Sequence, residues 1–422
     1  MKILIKNATI LDVEKENTYN SDLLIEENKI TKIEENIKDT VDETIDATGK
    51  LVMPGLINAH CHLAMSLFRG YGENKALMDW LNNYIFPKEE NLTDELVYYF
   101  TLLSCIEAIK SGTTYVLDMY FYPNSVLDAY RNIGIRGGIG SGRLFENSDD
   151  KNIIDYVKEN NMEDMVDIYC DPHAPYTVEK EIYANHVKFA KEYNIGIQTH
   201  LAETIDEINI MKERYGKTPV EYLADTGVFE VPIVLAHGIY LNDNDIEILK
   251  NAKCGIIHNP VSNAKLASGI CDVRKLIDSG ILVGLGTDGA SSTTTLDMFE
   301  EMRLCAYLQK LKYMDPSIVD SFEILKMATL NNAKILGKDK DIGSIQIGKK
   351  ADLIILDLDK IYFKPNLDIA SLLIYAANGD CVDTSIINGK IVMKDREILT
   401  INEKEIIEKC DKLVKEFYKE DK

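Results

Sequence analysis

Leu51-Val-Met-Pro-Gly-Leu-Ile-Asn-Ala-His60 is an apolar run that stops on a histidine, and Cys61 and a second histidine, His62, follow directly. Seven more short apolar runs recur along the chain, at 113–119, 135–142, 166–173, 195–200, 232–237, 253–258 and 281–287. Short unbroken runs of this kind read as strands buried on both faces. Longer stretches with helical spacing separate them, among them 94–110, 178–193 and 296–312. Eight β-then-α units in about 290 residues predict an α/β fold, a (β/α)8 TIM barrel, with connections shorter than two separate domains would need.

The histidines reinforce this reading. There are seven, at 60, 62, 173, 186, 200, 237 and 258, and all but His186 fall at the C-terminal ends of expected strands one, four, five, six and seven. In a parallel barrel those ends converge on the face that carries catalysis. Asp288 closes strand eight at the same level. His186 falls inside a helical segment and is given no function.

His60 and His62 sit two apart on an extended segment, so both imidazoles face one way and Cys61 faces the other. With His200 and Asp288 they form a nitrogen and oxygen donor set suited to one divalent metal: zinc, with iron and manganese as alternatives. A buried polar turn is the plain alternative for residues 60–62 taken alone. Glu203, three residues beyond His200, is placed to shuttle protons, although a helix-starting glutamate explains it equally well. His237 reads either as a satisfied core histidine or as a neutral imidazole that orients or deprotonates a nucleophile.

The ends of the chain read differently. Residues 2–52 alternate apolar and polar positions between Asn, Asp, Glu and Lys turns, and the pattern returns at 351–357 and 382–392 around an Asn388-Gly389 turn. A helical stripe at 406, 407, 410, 413, 414 and 417 follows. The expectation is two domains. One is a smaller β-sandwich built from both chain ends, 1–53 and 344–422, with a C-terminal helix; the other is the barrel, 54–343.

Composition limits the partners. Lys plus Arg is 47 against 69 for Asp plus Glu, a net charge of −22 over 422 residues. So acidic a body repels phosphate backbones and anionic lipid, which argues against nucleic-acid and membrane partners. The eight cysteines form no C-x-x-C pair and read as reduced thiols of a cytoplasmic protein. The charged start, Met-Lys-Ile-Leu-Ile-Lys-Asn, does not read as a signal peptide. The longest uncharged stretch, 51–68, contains Pro54, Gly55, Asn58, His60 and His62, which suits an enzyme core better than a membrane span.

Four common signatures are set aside. Gly284-Leu-Gly286-Thr-Asp-Gly289 matches G-x-G-x-x-G, but no parallel strand with a ribose-binding acid follows, so it reads as a tight turn presenting Asp288. The H-x-E…P-C-x-x-C pattern of the cytidine-deaminase type is absent. So are H-E-x-x-H and the P-loop.

Pro54-Gly-Leu-Ile-Asn-Ala-His60-Cys-His62, His200-Leu-Ala-Glu203, Ala236-His237-Gly, His258-Asn-Pro-Val-Ser-Asn263 and Gly286-Thr-Asp288-Gly resemble the amidohydrolase superfamily. Within it the chain is most similar, nearly end to end, to the S-adenosylhomocysteine/5′-methylthioadenosine deaminases, which include 5′-deoxyadenosine deaminases. The resemblance implies a zinc-dependent aminohydrolase that deaminates 5′-modified adenosines, or adenosine itself, to the inosine analogue and ammonia. His60, His62, His200 and Asp288 would bind the metal; Glu203, His237 and Asp288 would handle water and protons. Glu89 would take the ribose hydroxyls, His173 would touch the purine and Trp80 would line the pocket. It also implies a homo-oligomer.

One departure bears on the 5′ group. Where relatives that accept S-adenosylhomocysteine carry an arginine at the end of strand three, this sequence has Ser141, and the nearby candidate to grip a carboxylate is Arg143. Serine cannot bind a carboxylate in the bidentate manner of arginine, so a short neutral 5′ substituent is expected. The rival readings are a hydrolase of a free heterocyclic base (guanine, oxopurine or triazine type) on the same scaffold, and a non-catalytic module that kept the fold.

Overall fold

The computed structural model describes residues 1–140 and 151–419. Eight parallel strands form the expected barrel: Leu56–His62, Thr113–Asp118, Arg136–Ile139, Val166–Cys170, Gly196–Leu201, Ile233–His237, Cys254–His258, and an eighth in two pieces, Leu282–Leu285 and Asp288–Gly289. The first piece of the eighth strand pairs with the seventh strand (Gly255 opposite Leu282, His258 opposite Leu285). The second pairs with the first strand (Asp288 opposite Cys61, Gly289 opposite His62), and so closes the barrel.

The two-residue step between the pieces is a seam, and three residues distant in sequence close it. Asn58 Nδ2 donates to Thr287 Oγ1 (2.7 Å), and the Thr287 amide donates back to Asn58 Oδ1 (3.0 Å). Lower down, Asn332 Nδ2 donates to the Ile57 and Leu285 carbonyls (2.6 and 2.8 Å), while its Oδ1 accepts from the Leu285 amide (3.1 Å). Gly284 leaves the space for that amide: a Cβ there would lie 1.8 Å from Asn332 Oδ1.

The first strand is shorter than the apolar run suggests. Lys50–Pro54 belongs to a second sheet, and only Leu56–His62 enters the barrel. Gly55 makes the change of sheet, packed so tightly on Thr114 that a Cβ would meet Oγ1 at 2.1 Å. The second sheet is mixed and has nine strands among the described residues, drawn from both chain ends as expected. Its junction is the antiparallel pair of Lys50–Pro54 with Leu353–Asp357. Ile3, Ile5, Ile10, Leu23, Leu353 and Ile355 share its core. The Asn388-Gly389 turn is present, with both residues at positive φ (50° and 73°). Arg136, at the start of the third barrel strand, forms a buried two-point ion pair with Asp352, which joins barrel and sheet.

The C-terminal helix, Glu403–Phe417, rests on a barrel helix, Asp94–Lys110, where Lys110 Nζ meets Glu403 (2.8 Å) and Cys410 Sγ donates to the Tyr99 carbonyl. Of its expected apolar stripe, Ile407 instead faces solvent, at 42% exposure. Among the described residues, no helix is long and apolar enough to cross a membrane.

Candidate metal centre and active site

Strand geometry brings His60, His62, His200 and Asp288 together: their ligand atoms all lie within 4.8 Å of one another, and all four residues are buried. His62 Nε2 is 3.1 Å from Asp288 Oδ1 and 3.2 Å from His200 Nε2. The outer ring nitrogens are tied to backbone: His62 Nδ1 donates to the Met119 carbonyl (2.6 Å) and His200 Nδ1 to the His173 carbonyl (2.8 Å). Each Nε2 therefore points its lone pair inward, the arrangement that second-sphere partners impose on metal-binding imidazoles. His60 Nε2 is buried with no hydrogen-bond partner among the described residues.

Inward lone pairs beside a carboxylate repel one another unless a cation lies between them, so the donor set fits a divalent ion with nitrogen and oxygen preference. Without a bound ion the same closeness favours a proton on His62: burial alone would lower its pKa, yet the hydrogen bond and charge of Asp288 raise it to about 9, so a divalent ion would bind in place of that proton. Burial alone would raise Asp288, but His62 holds it well below the usual carboxylate range. The Asp288 backbone is in the left-handed region (φ 66°), and its Oδ2 accepts from Ser262 Oγ (2.6 Å) and Ser292 Oγ (3.0 Å). Strain of this kind is held where a side chain must be aimed.

Glu203 and His237 adjoin the group, with Glu203 Oε2 3.7 Å from His237 Nε2. Burial keeps the Glu203 pKa well above that of an ordinary glutamate, and the charge of Asp288 adds to the effect. Its Oε1 has no partner among the described residues. His237, also at positive φ (75°), has Nδ1 2.8 Å from Asn263 Oδ1, which places its proton there and leaves Nε2 as an acceptor. Burial lowers its pKa, so the imidazole is neutral. A carboxyl with a raised pKa beside an imidazole with a lowered one pairs a proton donor with a proton acceptor.

His173 lies on the loop after the fourth strand. It lines the cavity with Nδ1 2.8 Å from Thr177 Oγ1, and burial pushes its pKa down to about 3. Glu89 and Trp80 come from the helical segment at 77–89, which covers the cavity. Trp80 is buried and donates to the Tyr71 carbonyl (3.4 Å). Glu89 Oε1 accepts from Tyr120 Oη (2.8 Å), and burial raises its pKa to about 7.

His258 ends the seventh strand as expected; it is fully buried beside Asn263 and is not one of the four metal-binding residues. Arg143 and Ser141 fall outside the described residues. Tyr120, Ser262 and Asn263 were not singled out from sequence. The last two lie in the quoted His258–Asn263 motif, where their spacing signals a turn but not what it holds.

The inner cavity is small, about 60 Å3. Phe86, Glu89 and Phe121 also line an outer cavity of about 490 Å3 that Glu90 and Tyr122 complete. A larger cavity, about 710 Å3, lies at the opposite end of the barrel, far from these side chains.

The chain matches the amidohydrolase family over residues 51–392. It belongs to that family. Among relatives of this amidohydrolase, the 5-methylthioadenosine/S-adenosylhomocysteine deaminase of Thermoanaerobacter pseudethanolicus is 44% identical over 427 residues, covering 98% of this chain and 99% of that one. The 5′-deoxyadenosine deaminase of Methanobrevibacter smithii is 43% identical over 424 residues, with 98% of each chain covered. A crystal structure of an adenosine deaminase from Xanthomonas campestris with bound zinc matches this amidohydrolase with a TM-score of 0.93 at 28% identity, covering 99% of this chain and 98% of that one.

Proposed function

We propose that this amidohydrolase hydrolytically deaminates 5′-modified adenosines, replacing the amino group on the purine ring by oxygen and releasing ammonia. The observation that carries the reading is the placement of Glu203 beside His237 at the edge of the His60, His62, His200 and Asp288 group, where burial raises the pKa of Glu203 and lowers that of His237. A divalent ion held by those four residues, zinc being the expected one, would supply the Lewis acid that brings a water's pKa towards neutrality.

The chain's own groups account for the rest. His237 Nε2 accepts a proton from the attacking water, and Asn263 keeps that nitrogen free by holding the proton on Nδ1. Glu203 gives its proton to the ring nitrogen beside the amino-bearing carbon, which makes that carbon electrophilic; the proton taken up by His237 then passes to the amino group, which leaves as ammonia, and the hydroxyl proton returns to Glu203 as the carbonyl forms. Glu89, held by Tyr120, accepts the ribose hydroxyls, and His173 meets the purine edge. The base then lies in the inner cavity and the 5′ substituent reaches the outer one.

The free-base alternative gives Glu89 no purpose, and the names of the close relatives are those of nucleoside deaminases. The eight cysteines are all free and seven are buried, which suits the reducing, cytoplasmic setting expected from sequence. Incubating the purified protein with 5′-deoxyadenosine, 5′-methylthioadenosine, S-adenosylhomocysteine and adenosine tests the reading, with release of ammonia as the measurement. Ammonia from the first two is expected, and none from any of the four overturns the proposal.

A further inference from the structure

Glu207 is 1% exposed, although it sits in the first turn of the helix Ile205–Tyr215, where a glutamate would ordinarily reach solvent. The helix does not need it as a cap, because Thr204 Oγ1 already accepts the Glu207 amide (3.2 Å). No ion pair is formed by its carboxylate among the described residues. Both of its oxygens are spent instead on the chain just beyond His200: Oε1 accepts from the Ala202 amide (3.0 Å) and Oε2 from the Glu203 amide (2.8 Å).

Those two amides belong to a kink. Ala202 is in the left-handed region (φ 50°), where an alanine is strained. The other side of the kink is held by the chain after His237: the Gly238 amide donates to the Leu201 carbonyl (2.9 Å), and the Ile239 and Tyr240 amides donate to the Ala202 carbonyl (3.1 and 3.0 Å). Without the kink the chain would leave the fifth strand before turning the Glu203 side chain towards His237. A buried carboxylate with no cation beside it is costly to keep, and here it serves only this turn.

We infer that Glu207 is a positioning residue for the reaction: its carboxylate clamps the backbone amides of Ala202 and Glu203 so that Glu203 enters the cavity beside His237. This rests on the proton role proposed above for Glu203. Glu207 touches neither substrate nor metal and acts only through Glu203.

The test is steady-state kinetics with 5′-deoxyadenosine on the metal-loaded enzyme and on Glu207→Gln, Glu207→Ala and Glu203→Gln, with metal content and Tm measured for each. Glutamine keeps one acceptor for the two amides and alanine keeps none. Misplacing a catalytic group by about 1 Å can cost 10²-fold. The expected result is a kcat lowered about tenfold in Glu207→Gln and about 100-fold in Glu207→Ala. KM should stay within about twofold of the parent value, with one metal per chain retained.

An unchanged kcat in Glu207→Ala overturns the inference. So does a fall in which KM rises in step or metal is lost, which would mark a merely structural role. If Glu207→Ala fails to fold, the Glu207→Gln kinetics decide by the same criteria. Glu203→Gln separates the two levels: full activity in that variant removes the proton role of Glu203, whereas its inactivity beside a fully active Glu207→Ala removes only the clamp.

Discussion

Replacing Glu89 by glutamine should stabilise the protein while weakening its hold on substrate. Burial raises the Glu89 pKa from the usual 4.5 to about 7 despite the hydrogen bond from Tyr120. A raised carboxyl pKa is a stability cost whose sign follows from linkage. Below pH 4.5 the group is protonated in both folded and unfolded chains and costs nothing. Between 4.5 and 7 the unfolded chain ionises first and the cost grows; above 7 it is constant. The full shift of 2.5 units, at 1.36 kcal/mol each, is about 3 kcal/mol.

Glutamine has no such ionisation and can still accept from Tyr120 Oη. Glu89→Gln should therefore exceed the parent in stability by about 2–3 kcal/mol at pH 8 and by less than about 1 kcal/mol at pH 5. Urea unfolding of the metal-loaded pair at both pH values measures this. In the same variant the ribose hydroxyls lose a charged acceptor, a loss of about 1.5–3 kcal/mol. KM for 5′-deoxyadenosine should then rise about 10–100-fold. A stability difference that is the same at pH 5 and pH 8 would refute the reasoning, because it would mean that Glu89 is not ionised against a burial penalty.

Other perturbations test other parts of the site. Dialysis against a chelator should abolish deamination, and one equivalent of zinc per chain should restore it, read by ammonia release and metal analysis. Asn263→Asp would put a carboxylate beside His237 Nδ1 and raise the imidazole pKa. The rate should then fall below about pH 7 where the parent, its His237 held neutral by burial, stays flat. Asn332→Ala would remove three core hydrogen bonds, to the Leu285 amide and to the Ile57 and Leu285 carbonyls, at about 3–5 kcal/mol in total. Its urea midpoint should fall well below that of the parent, and an unchanged midpoint would show that the barrel seam is not held by this side chain.

The barrel and the metal-binding group were legible in the sequence because both depend on local pattern. An apolar run long enough to be a strand and a histidine at its end are properties of neighbouring residues, and a parallel barrel necessarily gathers its strand ends on one face. That sufficed to select His60, His62, His200, His237 and Asp288 before any distance was known. A strand end supplies a level on the barrel, but not what a side chain meets there: His258 also ends a strand, yet it is fully buried beside Asn263 and is not part of the metal-binding group.

What tertiary structure alone decided are the features that join residues far apart in the chain. The run at 51–60 contains no sign that Gly55 passes it from one sheet to another; the close approach of Thr114 dictates that. Nor does the apolar stripe of the last helix say which surface it covers. Asn332 bridging the first and eighth strands, Tyr120 holding Glu89 and Asn263 setting the tautomer of His237 have no periodicity to betray them. Each is an ordinary polar residue whose role arises only when folding brings an unpaired group within hydrogen-bond reach. The sequence by itself thus picked out the candidate metal-binding residues, because the strand ends of a parallel barrel converge on one face. Their protonation and aim were settled only by burial and by partners the fold delivers.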